Sequence, residues 1–417
     1  MTPNSPRRIL FASLVGTAIE FFDFYIYGTA AVLVFPQLFF PSVDPAAATL
    51  ASLATFAIAF IARPLGSMLF GHFGDRIGRK ATLVAALLTM GISTVLIGLL
   101  PTYQSIGIAA PILLALCRFG QGLGLGGEWG GAVLLAVENA PPGKRAWYGM
   151  FPQLGAPVGF FFSGATFLLL SQTLNNEQFL AWGWRIPFIA SALLVSVGLY
   201  VRLAITETPV FAEAAERRVR VPMFTVVRHH ARALGVGVLL GLSTMVLFYV
   251  MTVFTLSWGT SELGFTRNRF LIFQLIGALA FAVGVPIAAI LAERGRRRVG
   301  LAVNMAIVAF GIAFAPLFQA GAVGAIALTI AGMGLIGLVY GPLGTQLSEQ
   351  FPTTVRYSGT SIAYNLSAIL GASLAPYAAT WLAKNHGLEY VGYYVAASGV
   401  LSALGLVLVR ETSGSEL

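Results

Sequence analysis

The chain has 417 residues, 57% of them hydrophobic and 10% charged, with a mean hydropathy of +0.83 and a formal net charge of +9. A soluble domain carries about 25% charged residues, so the composition excludes a soluble globular protein and indicates an all-α polytopic membrane protein. In that setting the positive balance marks loops on one side of a bilayer, not a nucleic-acid partner. The single cysteine, Cys117, excludes an intrachain disulfide and reads as a small packing residue.

Apolar segments recur between short polar or Pro/Gly breaks. Twelve spans are predicted, at 9–38, 46–72, 81–100, 106–138, 146–172, 183–205, 227–258, 266–292, 299–318, 322–348, 356–383 and 390–410. Each is long enough to cross a hydrocarbon core, which takes about 20 residues as helix. The run from Ile9 to Phe40 exceeds the apolar core of a cleavable signal, about 7–15 residues, so the first span is expected to be retained. The polar stretch from Thr206 to Arg232 divides the chain into a six-span half (1–205), a central loop (206–226) and a second six-span half (227–417). Lys and Arg cluster at Arg7–Arg8, Arg76–Lys80, Lys144–Arg145, the central loop, Arg294–Arg298, Arg356 and Arg410. Only Arg185, Arg267, Arg269 and Lys384 fall toward the other side. That bias predicts that both termini and the central loop are cytoplasmic.

Between the second and third spans lies Gly71-His-Phe-Gly-Asp75-Arg76-Ile-Gly78-Arg79-Lys80. Its glycines permit a tight turn, and Asp75 sits where it can accept charge-assisted hydrogen bonds, so a short hairpin loop is expected. The pattern G-x-x-x-D-R-x-G-R-K resembles the loop between helices 2 and 3 of the major facilitator superfamily. The resemblance implies twelve transmembrane helices in two six-helix halves related by an axis along the membrane normal. Glu293-Arg294-Gly295-Arg296-Arg297-Arg298 is a degraded second copy, expected to mark topology rather than to work as a latch.

Further stretches narrow the resemblance. They are Gly16 to Gly28, Arg63-Pro64-Leu65-Gly66, Arg118 to Ala132, Gly183-Trp184-Arg185, Glu207-Thr208-Pro209 and Glu349 to Asn365. In order and spacing they resemble the metabolite:proton symporter family, whose known members carry α-ketoglutarate, citrate, shikimate, or proline and betaine. Glu177 to Trp184 and Phe151 to Gly155 lean toward the shikimate-like branch. The resemblance implies a multi-pass plasma-membrane protein that imports a small organic acid by proton symport. It needs no cofactor beyond the proton gradient and works as a monomer. Only about seven residues follow Arg410, without heptads, unlike the osmosensing proline/betaine members.

Ionisable groups at bilayer depth are costly and mark pathways. Glu20, Asp23, Phe24 and Tyr27 follow i, i+3, i+4, i+7 and so share one face of the first span. Arg63 lies near the middle of the second span, and Arg118, Gln121 and Glu128 lie on a broad face of the fourth. The resemblance implies that spans 1, 4, 7 and 10 line a central cavity. A guanidinium offers a carboxylate a planar fork of donors and keeps its charge, so Arg118 is the expected site of the substrate anion, with Arg63 in support. A carboxylic acid in a poorly solvated cavity can exchange protons near neutral pH. Asp23 or Glu128 is therefore the expected proton carrier, with Glu20 as modulator. The competing reading has Arg118 paired permanently with Glu128 or Glu20, and Arg63 serving carbonyls freed at Pro64. In the second half the polar candidates are Tyr249, Tyr340, Tyr364, Asn365 and Gln274, so coupling is expected in the first half and shape selection in the second. A gate stabilising the outward-open state is expected from Gly71, Asp75, Arg76, Gly78, Arg79 and Lys80 together with Glu138, Glu349 and Arg356.

Gly122, Gly124 and Gly127 satisfy G-x-G-x-x-G, but inside a spanning helix this is no dinucleotide fingerprint. Gly122, Gly126 and Gly130 instead let helices approach closely. His72, His229, His230 and His386 lack ligand spacing, so no metal site is expected, and no nucleophile–base set indicates an enzyme. The alternatives are a proton-coupled drug or metabolite exporter and a proline/betaine symporter. Gly155-Ala-Pro157-Val-Gly159 lacks the adjacent Gly-Pro of drug antiporters.

Overall fold

The computed structural model describes residues 6–41, 44–77, 79–126, 128–141, 143–204, 222–352 and 355–409, and of residues 6–9, 12, 71–77, 79–83, 128, 135, 201–204 and 222–224 the backbone only. Among them no strand occurs. The chain forms twelve helical rods: α1 (Pro6–Leu33), α2 (Pro45–Ile77), α3 (Arg79–Leu99), α4 (Ala109–Glu138), α5 (Arg145–Thr173), α6 (Asn176–Gly183 with Arg185–Ala204), α7 (Ala231–Ser261), α8 (Arg267–Ala292), α9 (Arg296–Gln319), α10 (Gly321–Ser348), α11 (Arg356–Asn385) and α12 (Leu388–Leu408). Among the described residues nine are each long and apolar enough to cross a membrane, and the two parts of α6, bent by 42°, make a tenth. In α3 the apolar stretch is the shorter Val84–Leu99, and α1 carries Glu20 and Asp23 in its middle. Phe162, Leu193, Ile312 and Val323 are each more than half exposed, an apolar surface suited to lipid and not to water.

Two expected loops are shorter than the sequence implied. Helix α2 continues to Ile77 and α3 starts at Arg79, so the Gly71–Lys80 motif is carried by two helix ends rather than by a hairpin loop. The side chains of Asp75, Arg76, Arg79 and Lys80, and all of Gly78, lie outside the described residues, as do residues 206 to 221 of the expected central loop 206–226. Beyond it Pro222–His229 is already helical, ahead of the predicted start at 227. Pro suits a first helical position, and Val226 buries itself.

Helices α1 to α6 form one half and α7 to α12 the other. Within the halves α1 packs on α5, α2 on α4, α8 on α10 and α9 on α12; the halves meet along α5–α8 and α2–α11. Gly122 permits the α2–α4 crossing, because a Cβ there would collide with the backbone carbonyl of Ala59. This contact sets Arg63 and Arg118 on adjoining helices at similar depth. Several rods are locally irregular: π-turns occur at Phe179–Gly183, Val250–Phe254 and Ile369–Ser373. Gln274, a polar candidate by sequence, donates to the Thr252 carbonyl inside the second of these (2.5 Å). Overpacking a tight contact costs about 1–3 kcal/mol. Gly122→Val is therefore expected to lower the melting midpoint of the detergent-purified protein by a few degrees. Gly16→Ala, where an added Cβ meets no atom within 4 Å, is expected not to lower it. An unchanged midpoint for Gly122→Val contradicts the crossing.

Candidate functional site

Two guanidiniums lie on one aromatic ring. Arg118 stands 4.3 Å and Arg63 4.7 Å from the centre of Phe24. Arg118 also lies over Tyr27 (3.9 Å) and Phe56 (5.2 Å), and Arg63 over Phe60 (4.7 Å). Arg118 Nη1 donates to Gln121 Oε1 (2.9 Å), and Gln121 Nε2 donates on to Thr94 Oγ1 (2.8 Å). Both arginines are buried. Arg118 Nε and Nη2 and Arg63 Nε have no hydrogen-bond partner, and no described carboxylate comes within 4.0 Å of either guanidinium. The permanent Arg118–Glu20 pair weighed from the sequence is therefore not formed. The side chain of Glu128 lies outside the described residues. Aromatic faces attract a cation, which is how these charges are tolerated at this depth.

The expected shared face of α1 splits. Glu20 lines a narrow cleft between the halves, whereas Asp23 turns to α6, where Ser191 Oγ donates to its Oδ2 (2.7 Å). Asp23 is buried and its Oδ1 has no partner. Three residues of helix turn a side chain by about 60° from its neighbour, enough to separate the two acids because α1 is packed between α6 and the cleft. The cleft is lined by Glu20, Arg63, Trp129, Ser361, Tyr364 and Asn365, among others. Of the predicted cargo residues it thus gathers Arg63, Tyr364 and Asn365 but leaves out Arg118 and Gln121, which lie behind Phe24. Tyr27, Tyr249 and Tyr340 are not among the residues that line it. The Tyr27 hydroxyl donates to Thr55 Oγ1 (2.6 Å), Tyr249 meets Phe24, Phe56 and Phe60 edge-on, and Tyr340 packs on Phe281.

Trp129 and Ser191 were missed by sequence reasoning. Trp129 lies in the quoted Gly-rich stretch of the fourth span, and its neighbourhood was a usable signal; Ser191 sits in a plain apolar run and gave none. The Trp129 ring stacks on Tyr364 of the other half, its Nε1 donates to Gln153 Oε1 (3.0 Å), and Gln153 Nε2 donates to the Tyr340 carbonyl (3.1 Å). Asn365 Nδ2 donates to the Gly126 carbonyl (3.2 Å).

The halves also close on each other at the end rich in arginine. Glu349 sits between Arg145 (3.8 Å) and Arg296 (3.4 Å), Arg356 faces Glu138 (3.9 Å), and the backbone N–H of Trp147 donates to Glu293 Oε1 (3.0 Å). Gly130 has no room for a Cβ against Ser361. Arg356 therefore pairs with Glu138 rather than with Glu349, and Glu293 of the degraded motif copy bridges the halves instead of only marking topology. At the opposite end Arg267 lies over the Phe179 ring (4.1 Å). Described contacts thus join the two halves at both ends.

A helical bundle of two six-helix halves around a central charged cleft defines a multi-pass membrane transporter of the major facilitator fold, not an enzyme. The signature of the sugar (and other) transporter family matches residues 9–220 and 221–417, and the chain belongs to that family. It is similar to the inner membrane metabolite transport protein YhjE of Escherichia coli K12, with 56% identity over 99% of this chain and 96% of that protein. It is also similar to the shikimate transporter of the same organism, with 37% identity over 97% and 95% of the two chains. A partially occluded inward-open structure of the xylose transporter XylE from E. coli shares the fold, with a TM-score of 0.76 at 19% identity over 99% of both chains. The chain is thus a metabolite transporter.

Removing one partner of a buried ion pair leaves an uncompensated charge. Glu349→Gln removes the carboxylate that Arg145 and Arg296 share and is expected to loosen the arginine-rich end. In a Cys117→Ser background, the alkylation rate of a cysteine placed at Ser361 should rise several-fold; an unchanged rate means these ion pairs do not hold the closure.

Proposed function

We propose that the protein imports a small organic acid together with a proton by alternating access. In this reading it sits in the cytoplasmic membrane with the arginine-rich end and both termini on the cytoplasmic side. The residues 1–205 and 227–417 rock about the cleft, 206–226 links them in the cytoplasm, and one chain suffices. The observation that carries the reading is the pair of buried guanidiniums, Arg63 and Arg118, that face no described carboxylate and retain unpartnered N–H groups. A desolvated cation is costly unless it is paired, and a cargo carboxylate offers these two the partner that no described side chain provides within 4.0 Å. Arg63 meets the anion in the cleft. Arg118 adds its field from behind Phe24 and takes the anion as that ring moves.

Asp23 carries the proton, with Glu20 beside the cargo as modulator and Glu128 the other acid able to serve. When Asp23 is neutral, Glu20 is the one charged acid among the described residues that line the cleft, and one negative charge on the cargo balances the two arginines. When Asp23 is charged, that balance is already met and the anion is released. Proton loading and anion loading thereby favour each other, which is the differential binding a symporter requires. The lysine and arginine bias supports the orientation, and the printed descriptions of the relatives support a metabolite cargo and the inner membrane. Asp75, Arg76, Arg79 and Lys80, with Gly71 and Gly78 shaping the turn, act with Glu138, Glu349 and Arg356 as the cytoplasmic gate.

The test is proton flux in proteoliposomes holding a pH dye, against a panel of organic acids, betaine and proline. An acid that lowers the internal pH as it enters, and that a pH gradient concentrates, is the expected outcome. Expulsion of a lipophilic cation with no acid-driven flux overturns the reading in favour of an exporter. Arg63→Gln and Arg118→Gln should each lower uptake by about 100-fold, the scale of a lost hydrogen-bonded charge contact. Asp23→Asn should abolish uphill uptake and leave exchange; intact uphill uptake removes Asp23 from the proton role.

A further inference from the structure

The Trp129–Tyr364 pair joins the halves in an arrangement that free rings avoid. Its ring centres are 3.6 Å apart with the planes inclined by 12°, so the rings overlap almost fully. Ring quadrupoles favour offset or edge-on pairs with centres about 4.5–7 Å apart. The neighbouring pairs obey that preference: Phe60 meets Tyr249 edge-on at 5.5 Å, and Tyr27 meets Phe56 edge-on at 5.8 Å. The overlap of Trp129 with Tyr364 is imposed by the frame around it. Gln153 holds the indole N–H and is itself tied to the Tyr340 carbonyl of the other half. Asn365, next to Tyr364, is tied to the Gly126 carbonyl, three residues before Trp129. Both rings line the cleft, as do Arg63 and Ser361. Arg63 Nε and the buried Ser361 Oγ have no hydrogen-bond partner.

We propose that the two rings form a stacking slot for the cargo, and that the cargo is accordingly a flat aromatic or conjugated carboxylate bearing a hydrogen-bonding substituent. The inference rests on the organic-acid reading above and narrows it. The planar part of the cargo enters between indole and phenol, its carboxylate lies on Arg63 and its substituent meets the Ser361 hydroxyl. Entry widens the ring separation from 3.6 Å to about 7 Å, two van der Waals contacts of about 3.5 Å each. It replaces one disfavoured overlap by two stacking contacts whose offset the cargo is free to choose. Because Trp129 belongs to α4 and Tyr364 to α11, widening the slot also moves the halves apart at the level of the cleft.

The test compares 4-hydroxybenzoate with its saturated ring analogue, 4-hydroxycyclohexanecarboxylate, which has the same charge and polar groups. Affinity is measured with labelled acid on the purified full-length protein, and proton-coupled uptake in proteoliposomes. The expected result is a preference of about tenfold for the flat acid, the scale of two ring contacts. Tyr364→Leu should bring the flat acid down to the level of the saturated one, while an unaltered elution profile and melting midpoint of the detergent-purified variant report that it is folded. Tyr364→Phe should keep the preference. If Tyr364→Leu does not fold, Trp129→Leu, with Trp129→Phe as its conservative partner, makes the same comparison. Equal affinity for the two acids in the unaltered protein overturns the slot, as does a preference that survives both leucine variants. If neither acid binds, the slot is also overturned. Uptake of dicarboxylates and keto acids in the same vesicles then shows separately whether the organic-acid reading stands.

Discussion

The interaction on which the site depends is the seating of two guanidiniums on the ring of Phe24. Arg63 and Arg118 are buried at membrane depth and neither has a described carboxylate partner. The aromatic faces of Phe24, Tyr27, Phe56 and Phe60 stand in for solvent, and Gln121 with Thr94 supplies one hydrogen-bonded chain. Cation–π attraction of this kind offsets part of the desolvation cost and leaves directional N–H donors unused. Such an arrangement is stable enough to persist and incomplete enough to bind an anion. It also constrains the helices: α2 and α4 must cross with almost touching backbones for both arginines to reach one ring of α1, hence Gly122 against Ala59.

The charges divide by depth. At the arginine-rich end Glu349, Arg145, Arg296, Glu138 and Arg356 form ion pairs across and along the halves. In the interior the cations rest on rings, and Asp23 is held by a serine. The Arg296–Glu349 pair is buried, and opening it leaves charge uncompensated until water enters, so these pairs hold the arginine-rich end together. The closure in the interior is instead aromatic and backbone-mediated, through Trp129, Tyr364, Gln153 and Asn365. That surface is one a ligand can enter.

Much of the fold was legible because bilayer physics leaves few choices. Apolar runs of spanning length, separated by Gly and Pro breaks, lead to twelve helices. The charge motif after the second run and its worn copy after the eighth lead to two halves. Local continuation of helix through Asp75 and from Arg79 was not legible, since Gly78 is equally at home in a loop and between two abutting helix ends. The π-turns in α6, α7 and α11 had no sequence signal either; they depend on partners such as Gln274, which is distant in the chain.

For the site, the residue types by themselves determined the chemistry: two acids and two arginines in apolar helices have to be used, and periodicity placed Glu20, Asp23 and Phe24 on adjoining parts of one helix. Only tertiary structure decided what each of them meets. Glu20 reaches the cleft and Asp23 reaches Ser191, a separation of one helical turn that no periodicity argument resolves, because both directions are buried and Ser191 of α6 is 168 residues away. Likewise Arg118 is drawn behind Phe24 rather than into the cleft, and Trp129 meets Tyr364 across the halves. A single chain's pattern reports the face on which a side chain lies; the partner on that face is set by how helices distant in sequence pack, and that packing is the property of the fold as a whole.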